Sequence, residues 1–237
     1  MSDSIEASTV GWAKANYRKV LSDLFPLSVY PKHIKPFSIF MAGSPGVGKT
    51  EFSNGLIKTL SNIDNPESVI HLDLDAFRDK FEEYDGKNSS SVKRACTILF
   101  EKSFDYVQKN SQNVIVDITF ASPKSIEDVK RSVNRSRSVN ISYLYQNPLT
   151  AWEYTKKREK LEGRVVPKKV FIDAYFDSRK NVETAKEIFK EKLTLDLYVK
   201  AEDNSIEKTY FNIQSISGYL KEVYTREQLE SSLPDTV

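Results

Sequence analysis

The chain has 237 residues, 39% of them hydrophobic and 11% aromatic, with 35 lysines and arginines against 33 aspartates and glutamates. That composition supports a sizeable buried core, and a formal net charge of +2 selects no polyanionic partner. No apolar run approaches the roughly 18–20 residues of a membrane span. The polar N-terminus shows no signal-peptide core, and the single cysteine, Cys96, has no internal disulfide partner. A cytoplasmic protein is expected, with Cys96 in a helix core.

The first predicted element is a helix over about residues 8–25. Ala13, Tyr17, Val20, Leu21 and Leu24 share one face at helical spacing, Ser8 or Thr9 stands where a cap is needed, and Pro26 ends the segment. It reads as an outer packing helix. Strand-like apolar runs follow at Phe37–Ala42, Val69–Leu74, Asn113–Asp117, Val139–Tyr145 and Leu193–Val199. Between them lie charged stretches of helical spacing, among them Val92–Lys109, Ile126–Arg135 and Thr150–Lys160. Short continuous apolar strands separated by helices predict an α/β fold, a mostly parallel five-stranded sheet with helices on both faces, in one domain spanning 1–237 with its core over about 37–224. The densest basic segment, Lys130–Arg137, has no interleaved aromatics for base stacking. It reads as a solvated helix end and speaks against nucleic acid as a partner.

Directly after the first strand, Gly43-Ser44-Pro45-Gly46-Val47-Gly48-Lys49-Thr50 fits G-x-x-x-x-G-K-[ST]. Glycines let the backbone turn so that N–H groups converge on phosphate oxygens, and the following helix, predicted over Lys49–Leu60, adds its positive end. Lys49 then reaches the β- and γ-phosphates and Thr50 ligates Mg²⁺. The second strand ends in Asp73-x-Asp75, and side chains two apart on an extended segment point to one side. Open α/β sheets bind ligands beyond the carboxyl ends of their strands. An acid there takes the proton of an attacking hydroxyl, so Asp75 is the candidate general base; it is equally placed to cap the helix that Ala76 begins. The third strand repeats the pattern with Asp117 and Thr119. Either Asp73 or Asp117 suits the acid behind Mg²⁺, and Asp117 with Thr119 equally suits gripping an acceptor. After the fourth strand, Arg158 and Arg164 flank the turn-prone Leu161-Glu162-Gly163. The segment suits a closing lid that neutralises the transferring phosphate, or a solvated helix end.

Taken in order, GSPGVGKT, LDLDAFR, YDGKN, VIVDITF, YLYQNPLTAWEYTKKRE and EGRVVPKKVF resemble the zeta toxin family of P-loop kinases, from Phe37 to about Tyr224. The resemblance implies a nucleotide-kinase-like fold with a short lid, and ATP or GTP with Mg²⁺ as phosphate donor. It implies transfer to the 3′-hydroxyl of the amino sugar in UDP-N-acetylglucosamine by the toxin of a toxin–antitoxin system, with a small helical antitoxin as partner. It assigns Asp75 as general base, Lys49 and Thr50 to the phosphate loop, and Arg158 and Arg164 to the transferring phosphate. Asp117 and Thr119 fall where an acid-x-Thr grips the sugar, with Asp73 counted beside them on the acceptor side. The departures also lie on that side. Phe120-Ala121-Ser122 stand where a basic residue is expected, the first basic residue being Lys124. Phe81-Glu82 replace a histidine–proline pair, and the two lid arginines are closer together. Two other readings stay open: a P-loop kinase of another small metabolite, nucleoside or nucleic-acid 5′-end, and a nucleotide-binding switch that transfers nothing.

Overall fold

The five apolar runs become neighbouring strands of one sheet. The computed structural model describes residues 2–61, 68–86, 88–162, 165–221 and 224–234. Its elements are α1 (Ser2–Leu24), β1 (Phe37–Ala42), α2 (Lys49–Ser61), β2 (Val69–Asp73), a 3₁₀ segment (Asp75–Lys80), α3 (Ser89–Lys109), β3 (Asn113–Asp117), α4 (Lys124–Asn134) and β4 (Ser138–Tyr145). They continue with α5 (Pro148–Glu162), α6 (Lys168–Phe189), β5 (Thr194–Lys200), β6 (Ile206–Tyr210) and α7 (Arg226–Ser232). The strand order is β2-β3-β1-β4-β5-β6. The first five strands are parallel, as the α/β reading expects, and β6 adds an antiparallel edge to β5. That sixth strand escapes an apolarity search because Ile206, Glu207 and Lys208 are exposed.

Alternation along β1 divides the core between the two layers of helices. Phe40 and Ala42 join the cluster built with α1 and α3, where the Phe40 ring meets Phe104 and Phe120 edge-on at 6.0 and 6.2 Å. Met41 joins the cluster built with α5 and the start of α6, around Trp152 and Phe171. Cys96 lies in α3 as expected, and burial pushes its thiol up to about 11. Among the described residues, no helix is long and apolar enough to cross a membrane.

Two local expectations need correction. α1 starts at Ser2, so neither Ser8 nor Thr9 caps it: the Thr9 hydroxyl donates to the Ile5 carbonyl inside the helix (2.8 Å), and Ser8 Oγ donates to Glu83 (3.1 Å). A polar first turn carries no hydrophobic period, which is why the start was invisible. The basic segment is not uniformly solvated either. Arg137 is buried at the base of the sheet, where Nε donates to Ser38 Oγ (2.7 Å) and Nη2 to the carbonyls of Phe37 and Gln112, tying β1 to the entry of β3. Burial pulls its pKa down to about 10.

Candidate functional site

The phosphate-loop and acidic motifs meet because β2, β3 and β1 are parallel neighbours whose C-terminal ends open on the same edge of the sheet. Between β1 and α2 the backbone turns through Gly43, Gly46 and Gly48 at φ 131°, 80° and 78°, a conformation L side chains rarely hold. Lys49 Nζ donates to the carbonyls of Gly43 (3.0 Å) and Ser44 (2.8 Å). The ammonium therefore stands over the loop, at the N-terminus of α2, where the first N–H groups of the helix lack intrahelical partners and favour an anion.

Gly46 is the most confined of the three. A Cβ there would overlap the Ala151 carbonyl oxygen of α5 and stand 2.5 Å from Thr155 Oγ1. Overpacking of this kind costs about 1–3 kcal/mol, and a left-handed alanine adds about 1 kcal/mol. Gly46→Ala is expected to lower the melting temperature by about 5–15 °C and to weaken nucleotide binding. Gly55→Ala in α2, where a Cβ meets nothing within 4 Å, is the control and should leave the melt unchanged or raise it.

The structure separates the acids that the sequence left equivalent. Asp73 and Asp117 are register partners across β2 and β3. Burial alone would push Asp117 up, but the hydrogen bond from His71, the Lys49 ammonium and the Thr50 hydroxyl hold it below the ordinary carboxylate value. For Asp73 burial prevails and raises it, helped by the carboxylates of Asp75 and Asp117, while its Oδ1 accepts the Asp75 backbone N–H at 3.0 Å. Asp117 is thus the ionised acid in contact with Thr50, and Asp73 holds the turn that presents Asp75. Thr50 and Asp117 together offer hard oxygen donors, the chemistry Mg²⁺ prefers, and Mg²⁺ takes few protein ligands beside phosphate and water.

Asp75 opens the 3₁₀ segment rather than capping it: Leu74 occupies the cap position and makes no side-chain bond. Asp75 Oδ1 instead accepts from Arg78 Nη2 at 2.6 Å, both side chains being partly buried. On α5, Ala151, Thr155 and Arg158 are spaced i, i+4, i+7 and share one helical face. Since Ala151 and Thr155 back the loop at Gly46, Arg158 lies on the loop-facing side and is half-buried. Arg164, and with it the tip of the expected lid, lies outside the described residues.

The turn after β3 is held in an unusual shape. Phe120 is buried at φ 60°, a left-handed conformation that costs a non-glycine residue about 1–3 kcal/mol. It is fixed from α6, where Asn181 Nδ2 donates to the carbonyls of Phe120 (3.1 Å) and Ala121 (2.9 Å). One turn away on α6, Ser178 Oγ accepts the Gly43 N–H at 2.9 Å, and Gly43 N also reaches the Thr119 carbonyl at 3.2 Å. Lys124 is drawn toward α3 by an ion pair with Glu101. From the other flank, the buried Lys200 at the end of β5 donates to the Val47 carbonyl at 2.9 Å, its pKa lowered by burial. His71, Ser178, Asn181 and Lys200 all escaped sequence reasoning. Only His71 carried a signal, standing two residues before Asp73 and so on the same side of β2.

A glycine loop between a central parallel strand and its helix, with the acid of the adjacent strand against the loop threonine, defines a P-loop nucleotide-binding protein of the α/β class. A sequence model of the Zeta toxin family matches residues 25–210. The chain belongs to that family, whose members are P-loop kinases. Among solved structures, the chain is similar to one of the PezAT chromosomal toxin–antitoxin system of Streptococcus pneumoniae, at 17% identity and a TM-score of 0.61 over 93% of this chain and 86% of that one. It is also similar to a chain of the native AvrRxo1-ORF1:AvrRxo1-ORF2 complex, at 13% identity and a TM-score of 0.61 over 86% of this chain and 70% of that one. These likenesses concern the fold. No curated protein matches the chain by sequence.

Proposed function

We propose that the protein is a phosphotransferase that moves the γ-phosphate of ATP or GTP to a hydroxyl of a nucleotide sugar, the 3′-hydroxyl of UDP-N-acetylglucosamine, as the toxin of a toxin–antitoxin system. The observation that carries the reading is that Lys49 and Thr50, the acid Asp117 and the carboxylate Asp75 share one edge of the sheet. A nucleotide switch needs the first three and has no use for the fourth.

In this mechanism the loop N–H groups and Lys49 hold the phosphates, and Thr50 and Asp117 would hold Mg²⁺, which would supply charge neutralisation. Asp75 accepts the proton of the acceptor hydroxyl as its oxygen bonds to the γ-phosphorus. The bond from that phosphorus to the bridging oxygen breaks, and the nucleoside diphosphate leaves with the electron pair. Lys49, Arg158 and Arg164 offset the charge that spreads over the transferring group. Thr119, Asp117 and Asp73 border the acceptor side, where Phe120-Ala121-Ser122 replace the expected basic residue. A small helical antitoxin is the proposed partner. Its support is the family, together with the likeness in fold to a toxin–antitoxin structure.

The decisive experiment incubates the purified protein with γ-labelled ATP or GTP and a fractionated metabolite extract. Label in UDP-N-acetylglucosamine is the expected result. Label in another fraction would replace the acceptor and keep the chemistry. Only free phosphate, at a rate indifferent to Asp75→Asn, would remove the kinase reading altogether.

A further inference from the structure

We propose that His71 is a positioning residue for Asp117, a role that rests on the reading of Thr50 and Asp117 as the Mg²⁺ side of the nucleotide site. Asp117 is buried, and its carboxylate is reached from two elements. The Thr50 hydroxyl comes from α2, and His71 comes from β2, its Nε2 3.2 Å from Asp117 Oδ2. An ionised carboxylate only accepts hydrogen bonds, so Nε2 carries the proton and His71 donates.

The sheet sets this pairing. His71 lies opposite Ile115 and Asp73 opposite Asp117. Residues two apart on a strand share a side, so His71 and Asp117 are diagonal neighbours on one face of β2 and β3, within reach of a long side chain. A carboxylate gripped at one oxygen no longer rotates freely. The direction in which Asp117 meets Thr50 is then fixed before nucleotide arrives. Hydrogen-bond partners of this kind, which orient a metal's supporting acids from behind, are worth about 10–100-fold in metal affinity.

The test is a titration of a fluorescent ATP analogue, in chelator and then across Mg²⁺ concentrations, on wild type, His71→Ala and His71→Gln. In His71→Ala the Mg²⁺ concentration giving half-maximal enhancement of binding should rise about tenfold or more, while binding in chelator stays at the wild-type level. His71→Gln keeps an N–H donor at nearly the reach of Nε2, and should return the Mg²⁺ response to within about threefold of wild type. Equal Mg²⁺ responses in all three proteins would overturn the proposal. So would a glutamine variant as impaired as the alanine variant, because loss of packing is not restored by a donor. Weaker binding in chelator with an unchanged Mg²⁺ response would assign His71 to the loop instead of the acid, and overturn it as well. A wild type indifferent to Mg²⁺ would fail differently, removing the metal reading of Thr50 and Asp117 and the proposal with it.

Discussion

Asp75→Asn is expected to lower the transfer rate by about 10²–10⁴-fold, the span a positioned general base contributes, and to leave nucleotide affinity unchanged. The geometry explains why the two readouts separate. Asp75 heads the 3₁₀ segment after β2, whereas the Lys49 ammonium is held by the carbonyls of Gly43 and Ser44 in the loop after β1, so the two side chains are positioned by different elements. Asparagine keeps an oxygen for the Arg78 guanidinium, which stands 2.6 Å from Asp75 Oδ1, and keeps the backbone N–H that Asp73 accepts. What it loses is the capacity to take a proton. Single-turnover transfer and equilibrium nucleotide binding on the same preparation test this. Transfer within threefold of wild type, roughly 0.7 kcal/mol of barrier, would exclude Asp75 as the base.

Lys49→Ala should damage both quantities. The ammonium donates to the carbonyls of Gly43 and Ser44, and it contributes to keeping Asp117 ionised. Truncating a charged partner of a bound phosphate costs about 2–5 kcal/mol, roughly 30-fold or more in Kd. Transfer should fall further than binding does, because charge on the transferring group grows beyond the ground state. Calorimetric nucleotide titration and the transfer assay give the two numbers. Wild-type affinity in a folded Lys49→Ala protein would show that the phosphate sits elsewhere. The two substitutions together distinguish a catalytic site from a nucleotide switch, which would respond to Lys49→Ala alone.

What the sequence revealed, and what it withheld, follows from the range of the interactions. Five strands were legible because each carries a concentration of apolar residues that the sheet buries, β3 along its whole length and the others at two or more positions. β6 was not, because it exposes Ile206, Glu207 and Lys208 and so carries no apolar run. The loop from Gly43 to Thr50 and the Asp73-x-Asp75 pair were legible because their chemistry is local, a few adjacent residues in one backbone shape. The roles of Asp73 and Asp117 stayed ambiguous, since both end an apolar strand in an acid. Only strand order, with β3 rather than β2 beside β1, brings one of them to Thr50. The supports were illegible for the same reason in stronger form. Ser178 reaches Gly43 across 135 positions and Lys200 reaches Val47 across 153, and a lone serine or lysine in an amphipathic segment announces no partner. Arg137 shows the converse error: a residue in a basic run, read as solvated, is buried because three parts of the sheet base require a donor.

The turn of α6 that carries Ser178 and Asn181 has a consequence for how this site can diverge. One residue fixes the first glycine of the phosphate loop and the other fixes the carbonyls of Phe120 and Ala121, so both segments are tied to a single helical turn. A shift of that turn would move them in concert and preserve the spacing between them. On the proposed kinase reading, new acceptors would be accommodated by exchanging side chains around Ala121 and Ser122, whereas reshaping the backbone beneath them would disturb the phosphate loop at the same stroke.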